Sequence, residues 1–268
     1  MSSLLDRVED RTLTIFVGAH PDDETVIAPL LAWCADRGRA LLLVSLTPGE
    51  SGWNLHREDL SRTLADVRRA EFAASAAALG GEAIVYDYVN GTTRAHPEGL
   101  AVLDEEHAAV ERWRSARQED NSHDAIYARW TREAGDPAQR LLELFRQCQP
   151  NVIITFEPDH GVTGHPEHIA VSRATLAAAR AHHRNAATPA SLHYVHAPDR
   201  SLPNAERIET RALVRLTGKE YLAAAWASFA CYPSQFRQEP EQSPHLRRGW
   251  FDRSVLTTVP CDASSLDR

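Results

Sequence analysis

The sequence has few cysteines, and no two of them are close enough to form a metal-binding pair. Its 268 residues include four cysteines, none spaced as CxxC. This spacing argues against a cysteine zinc knuckle and offers no disulfide framework. We therefore expect free, mostly buried thiols in a reducing compartment. The four positions are Cys34, Cys148, Cys231 and Cys261.

Long apolar segments and basic runs are also missing. No stretch approaches the roughly 18 apolar residues that a membrane span needs, and residues 1–11 are too polar for a signal peptide. Aspartate and glutamate number 37 against 29 lysines and arginines, a formal net charge of −8. Such an acidic chain is a poor ligand for nucleic acid or an anionic membrane. We expect a cytoplasmic protein with a small-molecule partner, no nucleic-acid or membrane partner, and homo-oligomerisation left open.

Short apolar runs alternate with stretches of helical periodicity in the first third of the chain. Residues 12–18, 40–46 and 82–86 are predicted to be buried strands, and residues 24–37 and 58–79 the helices between them. This β-α-β-α-β order predicts an α/β fold with a Rossmann-like, mostly parallel sheet and helices on both of its faces.

The pattern resumes after a long irregular segment. Residues 90–136 are charged and too long for an ordinary connection, and we interpret them as a helical insert over one edge of the site. Helices are then predicted at 137–147, 166–183 and 218–230, strands at 151–156, 191–196 and 207–216, and irregular structure beyond. The sequence shows no internal repeat and no linker, so we expect a single domain over residues 1–268.

Two polar clusters follow predicted strands. Residues 19–24 read AHPDDE directly after the first strand, and residues 164–168 read GHPEH a few positions after the strand at 151–156. In an open α/β sheet, ligands bind beyond the carboxyl ends of the strands, where the strand order reverses. If the first and fourth strands are neighbours, the two clusters face each other across that crevice.

Together the clusters contain the ligand types of a catalytic metal site. A histidine and an aspartate three residues apart can reach one metal ion, and a histidine of the second cluster would complete three protein ligands. Three ligands and an open position are typical of catalytic zinc, although iron, manganese or cobalt also fit imidazole and carboxylate. Each cluster alone has a simpler interpretation. Acidic residues 22–24 also suit a helix N-terminus, and HxxH is weak evidence among 13 histidines.

At these residues the sequence resembles the LmbE/PIG-L family of zinc-dependent N-deacetylases. AHPDDE at 19–24 is close to the family signature, and HPEH at 165–168 is similar to its second motif, usually HPDH. Weaker matches are to a TxGExG loop, an R-x-x-E helix followed by LG, and a K…SQ pattern. Residues 47–52 resemble the TxGExG loop, and residues 68–80 resemble the R-x-x-E helix followed by LG. The K…SQ pattern is matched by Lys219 with Ser234 and Gln235. The resemblance covers most of the chain outside the insert.

The resemblance implies a set of residue roles. His20, Asp23 and His168 would bind the metal. Asp22 would be the general base, and His165 would stabilise the oxyanion and assist the leaving amine. The expected cofactor is Zn²⁺, with another divalent metal such as Fe²⁺ as an alternative, and Arg68 is expected to lie just outside the ligands.

The implied function is a metal-dependent N-deacetylase that removes an acyl group, typically acetyl, from the amine of an N-acetylglucosamine-type conjugate with metal-activated water. The alternative is a zinc amidase acting on a non-sugar or thiol-conjugate amide. Three positions depart from the family pattern: Glu167 stands where Asp is usual, Thr163 where mycothiol-pathway members have Tyr, and Asn90 where many members have Asp. These changes leave the metal chemistry intact and the substrate open.

Two further classes are less compatible with the sequence. A nucleotide-binding module would need a glycine-rich phosphate loop after the first strand, and Gly18-Ala19-His20 is not GxGxxG. A glycosidase would need two carboxylates on opposite sides of the scissile bond. The adjacent Asp22 and Asp23 at one helix start are poorly placed for that.

Overall fold

The computed structural model describes residues 3–52, 62–90, 122–186, 189–236 and 249–261. Its strands are β1 (Leu13–Gly18), β2 (Ala40–Ser45), β3 (Glu82–Val85), β4 (Val152–Phe156), β5 (Ser191–His196), β6 (Glu206–Glu209) and β7 (Arg253–Val259). Its α-helices are α1 (Ala28–Arg37), α2 (Leu64–Ala78), α3 (His123–Ala134), α4 (Pro137–Cys148), α5 (Pro166–His183), α6 (Thr210–Thr217) and α7 (Leu222–Ala230). A 3₁₀ helix (Asp23–Ile27) leads into α1.

The seven strands form one sheet in the order β3-β2-β1-β4-β5-β7-β6. Strands β1 to β5 pair in parallel, and β7 pairs antiparallel with both β5 and β6. The chain builds outward from β1 through β2 and β3, then returns to place β4 on the other side of β1. The predicted mostly parallel sheet is confirmed, and β1 and β4 are the neighbours that the two polar clusters required.

Helices cover both faces of the sheet, as predicted. Alternate residues of β1 divide between the faces: Phe16 belongs to one hydrophobic core, and Ile15 and Val17 belong to the other. The first core includes residues of α1, α2, α6 and α7, and the second includes residues of α3, α4 and α5. Because β1 is buried on both faces, its sequence is apolar apart from Thr14 and does not alternate.

The C-terminal part differs from the prediction. Residues 207–216 were expected to form one strand, but β6 ends at Glu209 and α6 follows. Arg211 and Arg215 are exposed four residues apart, which is helical spacing, and Gly218 (φ 74°) ends the helix in the left-handed region. Strand β7 also lies where irregular structure was expected.

Of the insert predicted at 90–136, Asn90 and the C-terminal part lie within the described residues. Residues 91–121 are outside them, as is the start of the helix predicted at 58–79. Helix α3 is present, and its Trp130 is 1% exposed, packs on Tyr88 and donates from Nε1 to the Val89 carbonyl (2.7 Å). This part of the segment therefore completes a core. Among the described helices, none is long and apolar enough to cross a membrane.

Candidate metal centre

The two polar clusters meet at the carboxyl ends of β1 and β4. His20 follows β1 by two residues, and Asp23 begins the 3₁₀ helix after it. His168 lies in the first turn of α5, which begins after the loop that leaves β4. All three side chains are buried, with exposures of 6 to 8%. The reversal of strand order thus brings the sequence-distant clusters together.

Three atoms from these side chains form a tight triangle. His168 Nε2 lies 3.1 Å from Asp23 Oδ1 and 3.3 Å from His20 Nδ1, and His20 Nδ1 lies 3.7 Å from Asp23 Oδ1. Two ligands each 2.0–2.1 Å from a tetrahedral zinc ion would be roughly 3.3 Å apart. The triangle therefore has the size that one metal ion requires.

The second polar atom of each side chain is held elsewhere. Asp23 Oδ2 accepts the backbone N–H groups of Ala19 (2.6 Å) and His20 (3.0 Å). His168 Nδ1 is 2.9 Å from the Gly161 carbonyl oxygen, and His20 Nε2 is 2.5 Å from Glu167 Oε2. Since those outer nitrogens face acceptors, they act as donors, and the inner nitrogens are the ones placed to bind a metal.

His165 lies beside this triangle. Its ring is 4.7 Å from that of His20 and 5.0 Å from that of His168, and the three histidines could also hold an ion together, with ligand atoms within 4.8 Å. The set containing Asp23 is more closely spaced. His165 Nδ1 accepts the N–H of Glu167 (3.2 Å) and caps α5, so the neutral ring carries its proton on Nε2. His165 is thereby prepared to donate a hydrogen bond.

Asp22 has an unusual backbone and a fixed side chain. Its φ of 110° is in the left-handed region, which a non-glycine residue occupies only at a cost, commonly at functional sites. Its Oδ2 accepts from Arg68 Nη2 at 2.9 Å. Burial raises the pKa of the Asp22 carboxyl to about 6, and Asp23 adds to the rise, while Arg68, His20 and His168 oppose it. A pKa near 6 leaves a carboxylate that is ionised at neutral pH yet basic.

Arg68 reaches Asp22 from the second turn of α2. Its guanidinium is 2% exposed and also donates to the carbonyl oxygens of Gly49 (3.0 Å) and Pro21. Gly49 has a φ of 69°, and any side chain there would collide with the Arg68 guanidinium. The loop at 47–52 and the R-x-x-E helix, two weak sequence matches, therefore meet directly.

The buried charges favour a cation. Burial opposes ionisation of His20, but hydrogen bonds and charge from Asp23 and Glu167 outweigh it and raise its pKa to about 10. Burial likewise opposes ionisation of Asp23, but His168 and His20 outweigh it and hold the carboxyl pKa well below its usual range. The site attracts positive charge, and a divalent ion would satisfy it by displacing the histidine proton.

Two carboxylates that carry the site were not assigned from the sequence. Glu157 follows β4, and its oxygens accept the N–H groups of Asp159, His160 and Val162, which fixes the loop that presents Gly161 to His168. From the sequence, Glu167 was noted only as a departure from the family motif. A glutamate at a strand end before a glycine-containing loop is the signal that could have identified Glu157.

The C-terminal part of the chain contributes differently at its two matched positions. Ser234 donates from its N–H (3.0 Å) and hydroxyl (2.6 Å) to the Glu71 carboxylate, and Gln235 donates to Ser234. Lys219 instead pairs with Asp36 near the end of α1, with its own side chain 62% exposed. Ser234 and Gln235 thus join α2 behind the site, and Lys219 is remote from it.

Fold and site together define a Rossmann-like α/β protein with a histidine- and carboxylate-lined candidate metal centre at the reversal of strand order. The family model described as PIG-L, GlcNAc-PI de-N-acetylase, matches residues 15–179, and the chain belongs to this family.

Curated relatives carry a related name. A 1D-myo-inositol 2-acetamido-2-deoxy-alpha-D-glucopyranoside deacetylase of Kineococcus radiotolerans is 33% identical over 178 residues, 65% of this chain and 46% of the relative. One of the same name from Thermobifida fusca is 31% identical over 180 residues, 64% of this chain and 55% of the relative. The chain spans about half the length of the curated relatives it matches.

Solved structures support the fold. The N,N'-diacetylchitobiose deacetylase of Pyrococcus horikoshii aligns with a TM-score of 0.56 at 16% identity, over 97% of this chain and 88% of that one. At these identities the likeness concerns the fold alone, and the function has to be argued from the site.

Proposed function

We propose that this protein is a zinc-dependent hydrolase that removes an acetyl group from the amine of an N-acetylglucosamine-type conjugate. The observation that carries the proposal is the triangle of His20 Nδ1, Asp23 Oδ1 and His168 Nε2, with separations of 3.1 to 3.7 Å. Family membership and the deacetylase names of the relatives add support. Residues 1–268 would act as one domain around this site.

The donor set fits zinc. Two neutral imidazoles and one carboxylate give three protein ligands of the kind that a catalytic zinc site uses. Iron(II) and other divalent ions accept the same ligands, so zinc is the proposed metal on ligand type and spacing. When bound, the ion would act as a Lewis acid that polarises the amide carbonyl and makes water a stronger nucleophile at neutral pH.

Asp22 would accept the proton of the attacking water. It adjoins the ligand Asp23, and its own carboxylate is turned to Arg68, at 2.9 Å. The Arg68 guanidinium fixes the position of the base and preserves its charge. After attack, Asp22 holds a proton that can pass to the departing amine.

His165 would act on the amide oxygen of the substrate. Its Nδ1 is engaged by the Glu167 N–H, so Nε2 is the donor of the neutral ring. A donor placed where negative charge develops on the amide oxygen lowers the barrier to attack. Because its side chain is 19% exposed, His165 is also accessible to substrate.

The substrate class rests on the relatives, whose names specify an acetamido sugar on inositol. The alternative, a zinc amidase for a non-sugar or thiol-conjugate amide, uses the same metal and base. The fold does not decide between these substrates, because one fold hosts many activities. Amine release from N-acetylated amino sugars, compared with N-acylated non-sugar amines and thiol conjugates, distinguishes these substrates.

Metal content and proton transfer can be tested separately. The purified protein should bind about one zinc ion per chain, and His20→Ala or His168→Ala should lose most of it. Asp22→Asn should keep the metal while kcat falls by about 10²- to 10⁴-fold with a much smaller change in KM, because a positioned base contributes about that factor. Full zinc occupancy in both histidine variants would disprove the ligand assignment. Near-normal turnover by zinc-loaded Asp22→Asn would disprove the base.

A further inference from the structure

Glu167 contacts His20 of the candidate metal centre at the ring nitrogen that does not face Asp23 and His168. Its side chain is fully buried, and its Oε2 lies 2.5 Å from His20 Nε2 but 3.9 Å from His165 Nδ1. The two residues come from opposite sides of the strand-order reversal, since His20 follows β1 and Glu167 lies in the first turn of α5, in the segment after β4. The carboxylate therefore connects the second polar cluster to a ligand of the first.

This contact decides which nitrogen of His20 keeps its proton when a metal binds. A carboxylate only accepts, so His20 Nε2 has to donate, and Nδ1, which faces Asp23 and His168, is the nitrogen that gives up its proton to the metal. With the proton on Nδ1 instead, the ring could not bind a metal in its present orientation. The same contact restricts the rotation of the His20 ring about the Cβ–Cγ bond.

We infer that Glu167 is a positioning residue that sets the tautomer and orientation of His20 for metal binding. The inference rests on the proposed function, because it requires His20 to be a metal ligand. Carboxylates that accept the outer N–H of a ligand histidine raise its basicity, and their loss commonly costs 10- to 100-fold in metal affinity.

The length of the glutamate side chain is part of the inference. An aspartate at position 167 would withdraw the carboxylate by about one C–C bond, roughly 1.5 Å. The 2.5 Å contact with His20 would then exceed hydrogen-bond distance. A carboxylate that served only the N-terminus of α5 would be replaced well by aspartate, because both acids stabilise a first helical turn. Glu167→Asp therefore separates the two roles.

The experiment compares Glu167→Gln and Glu167→Asp with the unchanged protein. Zinc affinity is measured by competition with a chromophoric chelator, and the cobalt(II)-loaded forms are compared by visible absorption, which reports ligand geometry. We expect zinc affinity to fall about 10- to 100-fold in both variants, with a changed cobalt spectrum. Glu143→Gln, an exposed glutamate on α4 bonded to Gln139 (3.0 Å), is the matched control and should keep both properties.

The outcomes separate this inference from the proposed function. If the unchanged protein binds no divalent metal, the proposed function fails first. If it binds zinc and Glu167→Asp keeps both its affinity and its cobalt spectrum, the positioning role is wrong and Glu167 acts only at the helix start. Circular dichroism of the metal-free variants establishes that each is folded, and the aspartate variant keeps the buried charge if the glutamine variant does not fold.

Discussion

The two clusters that form the candidate site are held in place by different means. The first, residues 19–24, depends on distant parts of the chain: Arg68 holds Asp22, and Ser75 and Tyr232 both donate to the Glu24 carboxylate (2.5 Å each). The second, residues 164–168, is taken together with the loop that precedes it, residues 157–163. It is mostly held by contacts within this segment, because Glu157 fixes the loop and the loop orients His168. One cluster requires the finished tertiary structure, whereas the other is organised by contacts within a dozen residues.

This difference predicts which parts of the site a substitution elsewhere in the chain affects. Changes in α2 or near Tyr232 should disturb the first cluster and therefore the base, even though they are remote in sequence from it. Changes in the second cluster should act locally, on the stability of its loop and on His168. Glu167 is the exception, since it belongs to the second cluster and contacts the first.

Among changes to the residues that hold the first cluster from outside, Arg68→Met should have the largest effect. Misplacing a catalytic group by about 1 Å can cost roughly 10²-fold, so we expect kcat to fall by about that factor. Arg68 also opposes the rise in the pKa of Asp22 that burial causes. Its loss raises that pKa further. In the proposed mechanism the acid limb of kcat/KM reports the ionisation of Asp22, so this limb should move to higher pH.

Arg69→Met is the matched control for this prediction. Arg69 is the next residue on α2, and its guanidinium pairs with the largely exposed Asp87. Its removal should leave kcat and the pH profile close to those of the unchanged protein. An unshifted acid limb in folded, metal-loaded Arg68→Met would show that Arg68 does not act through Asp22.

In the second cluster, Glu157→Gln should reduce stability more than catalysis. The amide offers one acceptor oxygen in place of two, so backbone N–H groups of the loop lose partners. A buried donor left without a partner costs about 1–3 kcal/mol. These hydrogen bonds are partly buried, so we expect a loss at the lower end of that range, and Tm should fall by about 2–4 °C per kcal/mol. Thermal unfolding of the metal-free protein measures this, with the exposed Glu133→Gln as control. An unchanged Tm would mean that the loop does not depend on this carboxylate.

Lys219→Ala should have the smallest effect. Although Lys219 was matched to a family pattern, it pairs with Asp36 at the surface, where an ion pair contributes about 0–1 kcal/mol. Turnover and zinc affinity should be unchanged within error. A fall in kcat above about tenfold would place Lys219 in the reaction and overturn its assignment as a surface residue.

The sequence predicted the features that depend on strong local patterns. Strands β1, β2 and β4 were predicted because they are short apolar runs, and the neighbouring clusters followed from the parallel sheet. Strand β7 was missed because its sequence, RSVLTTV, contains a charged and three polar residues and is no apolar run. The contact of Glu167 with His20 was missed for a different reason: a sequence gives the type of a side chain but not the residue that it reaches across 147 positions.

The pairing of β1 with β4 has a consequence for assembly of the site. His20 and His168 are 148 positions apart, and no shorter piece of the chain contains both. An ion bound by both histidines would reversibly link the two halves of the sheet that meet between β1 and β4. Because it would bind the folded chain in preference to the unfolded one, its free concentration would set the melting temperature. Removal of the ion with a chelator should first destabilise the pairing of β1 with β4. Hydrogen exchange would then show faster amide exchange in these two strands than in β2.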